Sequence, residues 1–197
     1  MAKYHPNVED YVVSRVRALE SILIEKGALA PDAVDRVIAR YANDTGPLLG
    51  ARMVARAWRD PAYRELLLAD SSVAALSQFG ITGYDELRVV ADTPAIHNLV
   101  VCTLCSCYPW AVMGLPPTWY KMPPYRSRAV LEPRKLLAEM GWAIPQSVEI
   151  HVWDSSSELR YMVLPLAPVG HEAMTEDELA ALITRDALIG VEPVRLS

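Results

Sequence analysis

The sequence has few cysteines and no long apolar run, which argues against a disulfide-rich, secreted or membrane protein. It has only three cysteines in 197 residues, an odd number that cannot form a closed set of disulfides. It has no run of about 18 apolar residues, the length that a transmembrane helix needs. Its first residues also lack the apolar stretch of a secretory signal peptide. We therefore expect a cytoplasmic protein that does not enter a membrane.

Basic clusters are also absent, and acidic residues outnumber basic ones by 24 to 19, for a net charge of -5. Nucleic-acid binding depends on clustered lysines and arginines that release counterions, so nucleic acid is not an expected partner. Hydrophobic residues make up 52% of the chain. This is more apolar surface than one small domain usually buries, and it favours a partner subunit.

The first eighty residues predict a series of helices. Apolar residues recur at helical spacing between Tyr11 and Leu23, and shorter helices are predicted at 48–58, 61–69 and 72–79. These helices have few obvious core partners within the segment. We expect residues 1–80 to form a helical arm.

Residues 81–197 predict an α+β domain. Two short segments rich in β-branched residues, 87–91 and 98–101, predict strands. Two further predicted strands, 148–153 and 159–164, are separated by a short polar segment and predict an antiparallel hairpin.

Other features of this domain are predicted from prolines and caps. Residues 113–125 contain four prolines and predict a loop that is neither helix nor central strand. A helix is predicted from Pro133 to Met140. Thr175 and Glu178 have the spacing of a capping box and predict the start of another helix.

All three cysteines fall in one short segment, as Cys102, Cys105 and Cys107. Three thiolates this close in sequence can bind one metal ion through a single loop. A zinc site would need a fourth cysteine or histidine, and an iron–sulfur cluster normally takes four thiolates. A redox Cys-x-x-Cys pair leaves Cys107 without a role. The spacing of the cysteines favours a metal site but does not identify the metal.

The ten residues 101–110, Val-Cys-Thr-Leu-Cys-Ser-Cys-Tyr-Pro-Trp, resemble the metal-binding motif of nitrile hydratase α subunits. Six further segments resemble the same family in the same order: 92–94, 114–117, 119–121, 124–128, 152–155 and 184–186. Ala91 and residues 141–143 depart from the family pattern. The resemblance implies an N-terminal helical arm and a layered α/β/β/α-type domain that carries the metal loop.

The resemblance also implies a ligand set. The sulfur atoms of Cys102, Cys105 and Cys107 and the backbone nitrogens of Ser106 and Cys107 would bind the ion and leave a sixth position open. Cys105 would be oxidised to a sulfinic acid and Cys107 to a sulfenic acid. Thr103 stands where iron-type members usually have serine. We therefore expect one Co(III) per chain rather than Fe(III).

By the same resemblance, the chain is expected to hydrate a nitrile to an amide, with Cys107 and Cys105 as catalytic residues. It would act with a β subunit in an αβ heterodimer or an α2β2 assembly, after an activator protein has inserted the metal. The related alternatives are a thiocyanate hydrolase γ subunit and a non-catalytic subunit that carries cobalt.

Some nearby residues have two interpretations. Trp110 and Tyr108 follow the loop and are candidates for a substrate pocket or for core packing. Arg160 is a candidate for a second layer of contacts around the metal or for a surface charge. His97 and His151 are expected to be structural rather than metal ligands.

Overall fold

The computed structural model describes residues 6–43, 47–80 and 86–196. The chain divides into two compact units, residues 1–40 and 41–197. The helices of the first part are α1 (Pro6–Glu25) and α2 (Ala33–Asn43). The apolar stripe predicted on α1 is largely exposed; its members are Tyr11, Val12, Val16, Leu19, Ile22 and Leu23. This helix therefore has an apolar face that its own unit does not cover.

Three further helices begin the second unit: α3 (Pro47–Arg59), α4 (Pro61–Ala69) and α5 (Ser71–Phe79). Helix α3 packs on α4 and on the later helix α9, which spans Glu176–Leu182. The side chains of Met53, Val54 and Leu67 on α3 and α4 are fully buried. The sequence placed these three helices in the arm, whereas their buried apolar faces join them to the unit that holds the strands.

The described part of the chain contains four strands: β1 (Glu86–Ala91), β2 (Ile96–Val101), β3 (Glu149–Asp154) and β4 (Leu159–Leu164). They form two two-stranded sheets, in which β1 is parallel to β4 and β2 is parallel to β3.

The predicted antiparallel hairpin of β3 and β4 is therefore wrong. The backbone N–H of Ser155 donates to the carbonyl of Val101 at 2.7 Å, and that of Glu86 donates to Glu158 at 2.9 Å. The chain thus leaves one sheet after Ser155 and joins the other at Glu158. Strand β2, whose residues from His97 to Val101 are all buried, gives β3 a buried parallel partner in place of the hairpin.

The proline-rich segment contains more regular structure than predicted. Helix α6 (Trp110–Met113) is followed by a 3-10 helix (Thr118–Lys121), and α7 (Pro123–Leu131) begins directly on two prolines. A proline is tolerated in the first turn of a helix because the N–H that it lacks would have no partner there. The expectation of a loop up to Tyr125 was wrong for this reason.

Helix α8 (Pro133–Glu139) and the start of α9 follow the prediction, whereas the predicted helix up to about Arg185 ends at Leu182 and a separate helix, α10 (Arg185–Ile189), begins at Arg185. Helix α8 ends near Gly141, and a short 3-10 helix (His171–Ala173) precedes α9. The capping box of Thr175 and Glu178 at the start of α9 is confirmed.

Helices cover both sheets of the second unit. Helices α4 and α5 contact β1, α10 contacts β4, and α7 and α8 contact β2 and β3 respectively. Strands β2 and β4 also contact each other across the two sheets. The predicted α+β class is confirmed. In the described parts of the chain, no helix combines the length and apolar character needed to cross a bilayer.

A buried polar network fixes the strand that leads to the cysteines. Asp92 accepts hydrogen bonds from the backbone and side-chain nitrogens of Asn98 at 2.7 and 2.9 Å, and its second oxygen lies 3.2 Å from His97 Nδ1. Trp153 Nε1 on β3 donates to Asn98 Oδ1 at 2.8 Å. His97 Nε2 lies 2.8 Å from the carbonyl of Gly190. His97 thus has a structural role, as the sequence predicted.

Candidate metal centre

The cysteine loop begins where β2 ends. Cys102 follows Val101, the last residue of the strand, and is buried, whereas Cys105 is exposed and Cys107 is half-buried. The Cys105 sulfur lies 3.3 Å from that of Cys102 and 3.0 Å from that of Cys107. All three sulfurs lie within 4.8 Å of one another. The fold thus brings together the three thiols that the sequence predicted as metal ligands.

The spacing of these sulfurs tests which kind of metal site the loop fits. At a metal–sulfur distance of about 2.3 Å, adjacent sulfurs are about 3.8 Å apart in a tetrahedral site and about 3.3 Å apart in an octahedral one. Two of the three sulfur pairs, at 3.3 and 3.0 Å, are nearer the octahedral value, and the third pair lies within 4.8 Å. Among the described residues no fourth His, Cys or carboxylate joins the three sulfurs, so the donor set fits one thiophilic transition-metal ion and lacks the fourth protein ligand of a structural zinc site.

The start of the loop is held through Thr103. Its backbone N–H and its hydroxyl donate to the two carboxylate oxygens of Asp154 at 2.9 and 2.5 Å. The Arg126 guanidinium donates to the Thr103 carbonyl at 2.7 Å. The backbone N–H of Cys105 also points at the Cys102 sulfur, at 3.2 Å. These contacts hold the first turn of the loop through protein atoms alone.

A cluster of tyrosines lies beneath the loop. The Tyr120 hydroxyl donates to the carbonyl of Cys107 at 3.0 Å, and the Tyr125 hydroxyl donates to that of Val100 at 2.6 Å. Tyr108 packs edge-on against Tyr120 with ring centres 5.2 Å apart. Burial raises the pKa of each of these three tyrosines. The three hydroxyls therefore remain protonated donors at neutral pH.

The thiols of Cys105 and Cys107 differ in acidity because they are hydrogen-bonded to each other and because they differ in burial. Hydrogen bonds from the Cys107 and Cys102 thiols lower the pKa of Cys105 to about 7. Burial, and then the hydrogen bond given to Cys105, raise the pKa of Cys107 to about 12, while the charge of Arg160 partly opposes that rise. Without a metal, the exposed Cys105 is therefore the first of the two to ionise.

The other predicted site residues lie around the loop. Ser106 is exposed between the last two cysteines. Trp110 is 39% exposed, with the Lys121 ammonium 5.9 Å from its ring centre, whereas Tyr108 is buried in the core. Arg160, on β4, lies near enough for its charge to act on Cys107. The roles of Trp110 and Tyr108 in a substrate pocket stay predictions.

Three residues that hold the loop had no predicted role: Asp154, Arg126 and Tyr120. Each lies in a segment that carries the family resemblance, but its spacing from the cysteines does not reveal a contact with them. Asp154 is the last residue of β3. Because β3 is parallel to β2, the ends of the two strands meet at the same edge, beside the loop. A correct prediction of the parallel pairing of β2 with β3 would have placed Asp154 beside the cysteine loop.

A family model described as nitrile hydratase, alpha chain, matches residues 10–192. The chain belongs to this family. It is 52% identical over 188 residues to the low-molecular weight cobalt-containing nitrile hydratase subunit alpha of Rhodococcus rhodochrous, covering 94% of this chain and 90% of that protein. The family resemblance found in the sequence is thus confirmed.

Related proteins in the family carry other names. The chain is 43% identical to the thiocyanate hydrolase subunit gamma of Thiobacillus thioparus, over 93% of this chain and 80% of that protein. Its fold matches the solved structure of a double mutant of the Fe-type nitrile hydratase from Comamonas testosteroni Ni1. That match has a TM-score of 0.85 and 37% identity, and it covers 98% of this chain and 93% of the other.

Proposed function

We propose that this chain is the metal-carrying α subunit of a nitrile hydratase, which adds water to a nitrile and yields the corresponding amide. The observation that carries the proposal is the cluster of three sulfurs within 4.8 Å on one loop. It stands in a chain of the nitrile hydratase α-chain family, matched from residue 10 to residue 192.

The proposed ligands are the sulfurs of Cys102, Cys105 and Cys107 and the backbone nitrogens of Ser106 and Cys107. A trivalent ion bound there supplies Lewis acidity, which makes the carbon of a nitrile electrophilic. In the proposed mature centre, an external oxidant such as dioxygen has converted Cys105 to a sulfinic acid and Cys107 to a sulfenic acid, and the added oxygens withdraw electron density from the sulfurs.

The chain's own residues bring the nucleophile to the nitrile. A sulfenate oxygen on Cys107 would attack the nitrile carbon or accept a proton from an attacking water molecule. The Arg160 charge, which already acts on Cys107, would favour the anionic sulfenate over its protonated form. Trp110, exposed beside the loop, is the proposed contact for the substrate.

We propose cobalt as the metal. The Rhodococcus rhodochrous relative, 52% identical, is named as cobalt-containing, whereas the Fe-type structure is 37% identical. Thr103 supports the same choice through the family resemblance. Its hydroxyl bonds Asp154, and a serine could make the same bond. Thr103 therefore supports cobalt by family pattern and not by ligand preference.

A β subunit is the proposed partner, in an αβ heterodimer or an α2β2 assembly, and an activator protein is proposed to insert the metal. The exposed loop residues Leu104 and Cys105 support a partner, because Leu104 leaves 89% of its surface uncovered beside the sulfurs. The exposed apolar stripe of α1 supports it as well. A cytoplasmic location stays a prediction.

The experiment is co-expression of the chain with its β subunit in cobalt-containing medium. Metal analysis should give about one cobalt per chain, and aliphatic or aromatic nitriles should be converted to amides. Cys105→Ser should lose the metal. Ser106→Ala is the matched control and should retain it, because the proposed ligand at this position is the backbone nitrogen. A complex that holds only zinc would contradict the proposal.

Thiocyanate hydrolase is the second candidate, because the gamma subunit of that enzyme is 43% identical to this chain. The same purified complex should be given thiocyanate in parallel with the nitriles. Turnover of thiocyanate alone would replace the first proposal with this one. Cobalt binding without turnover of either substrate would instead indicate a non-catalytic carrier.

A further inference from the structure

The end of the cysteine loop is held by one buried tyrosine. Tyr120 lies in the 3-10 helix between α6 and α7, and its side chain is fully buried. Its hydroxyl donates to the carbonyl oxygen of Cys107 at 3.0 Å. Asp154 and Arg126 hold Thr103, near the start of the loop. The tyrosine thus completes the fixation of the loop at its opposite end.

The Tyr120 hydroxyl has a second polar neighbour. Burial raises the pKa of Tyr120, and the Ser155 side chain lies close enough to lower it in part. Ser155 is buried directly after β3, and it accepts a hydrogen bond from the Tyr161 N–H on β4 at 3.3 Å. A polar path therefore runs from the edge of both sheets through Ser155 and Tyr120 to the backbone of Cys107.

The ring of Tyr120 is confined as well. Its centre lies 5.2 Å from the ring of Tyr108 and 5.7 Å from that of Tyr125. The ring of Trp119 lies 6.2 Å away at an angle of 63°. Because the interior is close-packed, the hydroxyl cannot swing away from Cys107 without displacing these rings.

We propose that Tyr120 is a positioning residue that sets the direction of the Cys107 sulfur. Fixing the Cys107 carbonyl constrains the backbone rotation of that residue and hence the direction of its Cα–Cβ bond, from which the sulfur extends. The inference rests on the proposed function, because it treats Cys107 as the reacting residue. Its consequence is that loss of one hydroxyl changes the metal–sulfur bonds without removing a ligand.

The test compares Tyr120→Phe with Tyr125→Phe in the cobalt-loaded complex with the β subunit. Both changes remove one buried hydroxyl that bonds a backbone carbonyl, and both keep the ring. Tyr125 bonds Val100, which the β2 ladder already holds in place. The measurements are cobalt content, the sulfur-to-metal absorption spectrum, melting temperature, and kcat and KM for a nitrile.

We expect Tyr120→Phe to shift the absorption band and to lower kcat on the order of 10-fold, with KM little changed. Tyr125→Phe should lower the melting temperature by a similar amount and leave the spectrum as in the parent. Ser155→Ala should shift the spectrum in the same direction as Tyr120→Phe but by less, because it loosens the hydroxyl without removing it.

Identical spectra and equal kcat values for the two tyrosine variants would overturn the inference. If Tyr120→Phe does not fold, an unchanged spectrum in Ser155→Ala would overturn it in the same way. The proposed function fails separately, through a parent complex that binds cobalt but hydrates no nitrile. In that case the spectral comparison still decides whether Tyr120 positions Cys107.

Discussion

Replacing Gly190 with alanine tests the packing that supports the metal loop. Gly190 ends α10 with a φ of 90°, a conformation that L side chains rarely adopt. A Cβ atom there would lie 2.1 Å from the carbonyl oxygen of Asn98. This contact is with backbone, so strand β2 or the turn after α10 must move. Strand β2 is the element that leads directly to Cys102.

The magnitude follows from two separate costs. A left-handed conformation costs an alanine roughly 1–2 kcal/mol relative to glycine, and overpacking a well-packed core costs about 1–3 kcal/mol more. Gly141→Ala is the matched control. Gly141 has a φ of 101°, and a Cβ there would meet nothing within 4 Å. The control therefore carries only the first cost.

We expect Gly190→Ala to lower the stability by about 2 kcal/mol more than Gly141→Ala, the middle of the range for overpacking, because the left-handed cost is common to both. For a chain of this size, that difference corresponds to a melting temperature about 4–8 °C lower. Thermal denaturation of both variants in the same complex, followed by circular dichroism, measures it. Equal melting temperatures for the two variants would refute the reasoning, because the contact with Asn98 would then cost nothing.

Three further predictions concern the loop. Asp154→Asn loses charge-assisted bonds to Thr103, so the cobalt content of the complex should fall on the order of 10-fold by metal analysis; full occupancy would contradict the role of Asp154. Thr103→Ser should keep cobalt, whereas Thr103→Val should bind less because it loses the hydroxyl bond to Asp154. In the metal-free chain, alkylation of Cys105, followed by peptide mass analysis, should increase as pH rises through about 7, because ionisation produces the reactive thiolate. Cys107 should remain unmodified over the same range, since its pKa is raised to about 12; equal labelling of the two would count against the hydrogen bond between their thiols.

Much of the local structure could be predicted from the sequence. The capping box of Thr175 and the strand before Cys102 were both visible in it, because each depends on residues that are close along the chain. The same holds for the three thiols. Cys102, Cys105 and Cys107 can meet around one ion only through a tight turn, and their spacing already requires one.

The pairing of the strands could not be predicted in this way. The segment between β3 and β4 has the length and polarity of a hairpin turn, yet each strand pairs with an earlier one. Local turn propensity was outweighed by burial of β2, whose residues from His97 to Val101 are all buried. The prolines at the start of α7 led to the wrong prediction of a loop up to Tyr125. Proline disrupts the interior of a helix but is tolerated in its first turn, and the sequence alone did not show where this helix begins.

The sequence by itself determined the cluster of three thiols, the loop that carries them and the family, because these depend on the identity of adjacent residues. Only the tertiary structure decided what holds that loop. Asp154 and Tyr120 are distant from the cysteines in sequence and reach Thr103 and Cys107 through parallel strand pairing and aromatic packing. Such contacts between distant residues are set by which apolar faces are buried together, and no spacing along the chain encodes that choice.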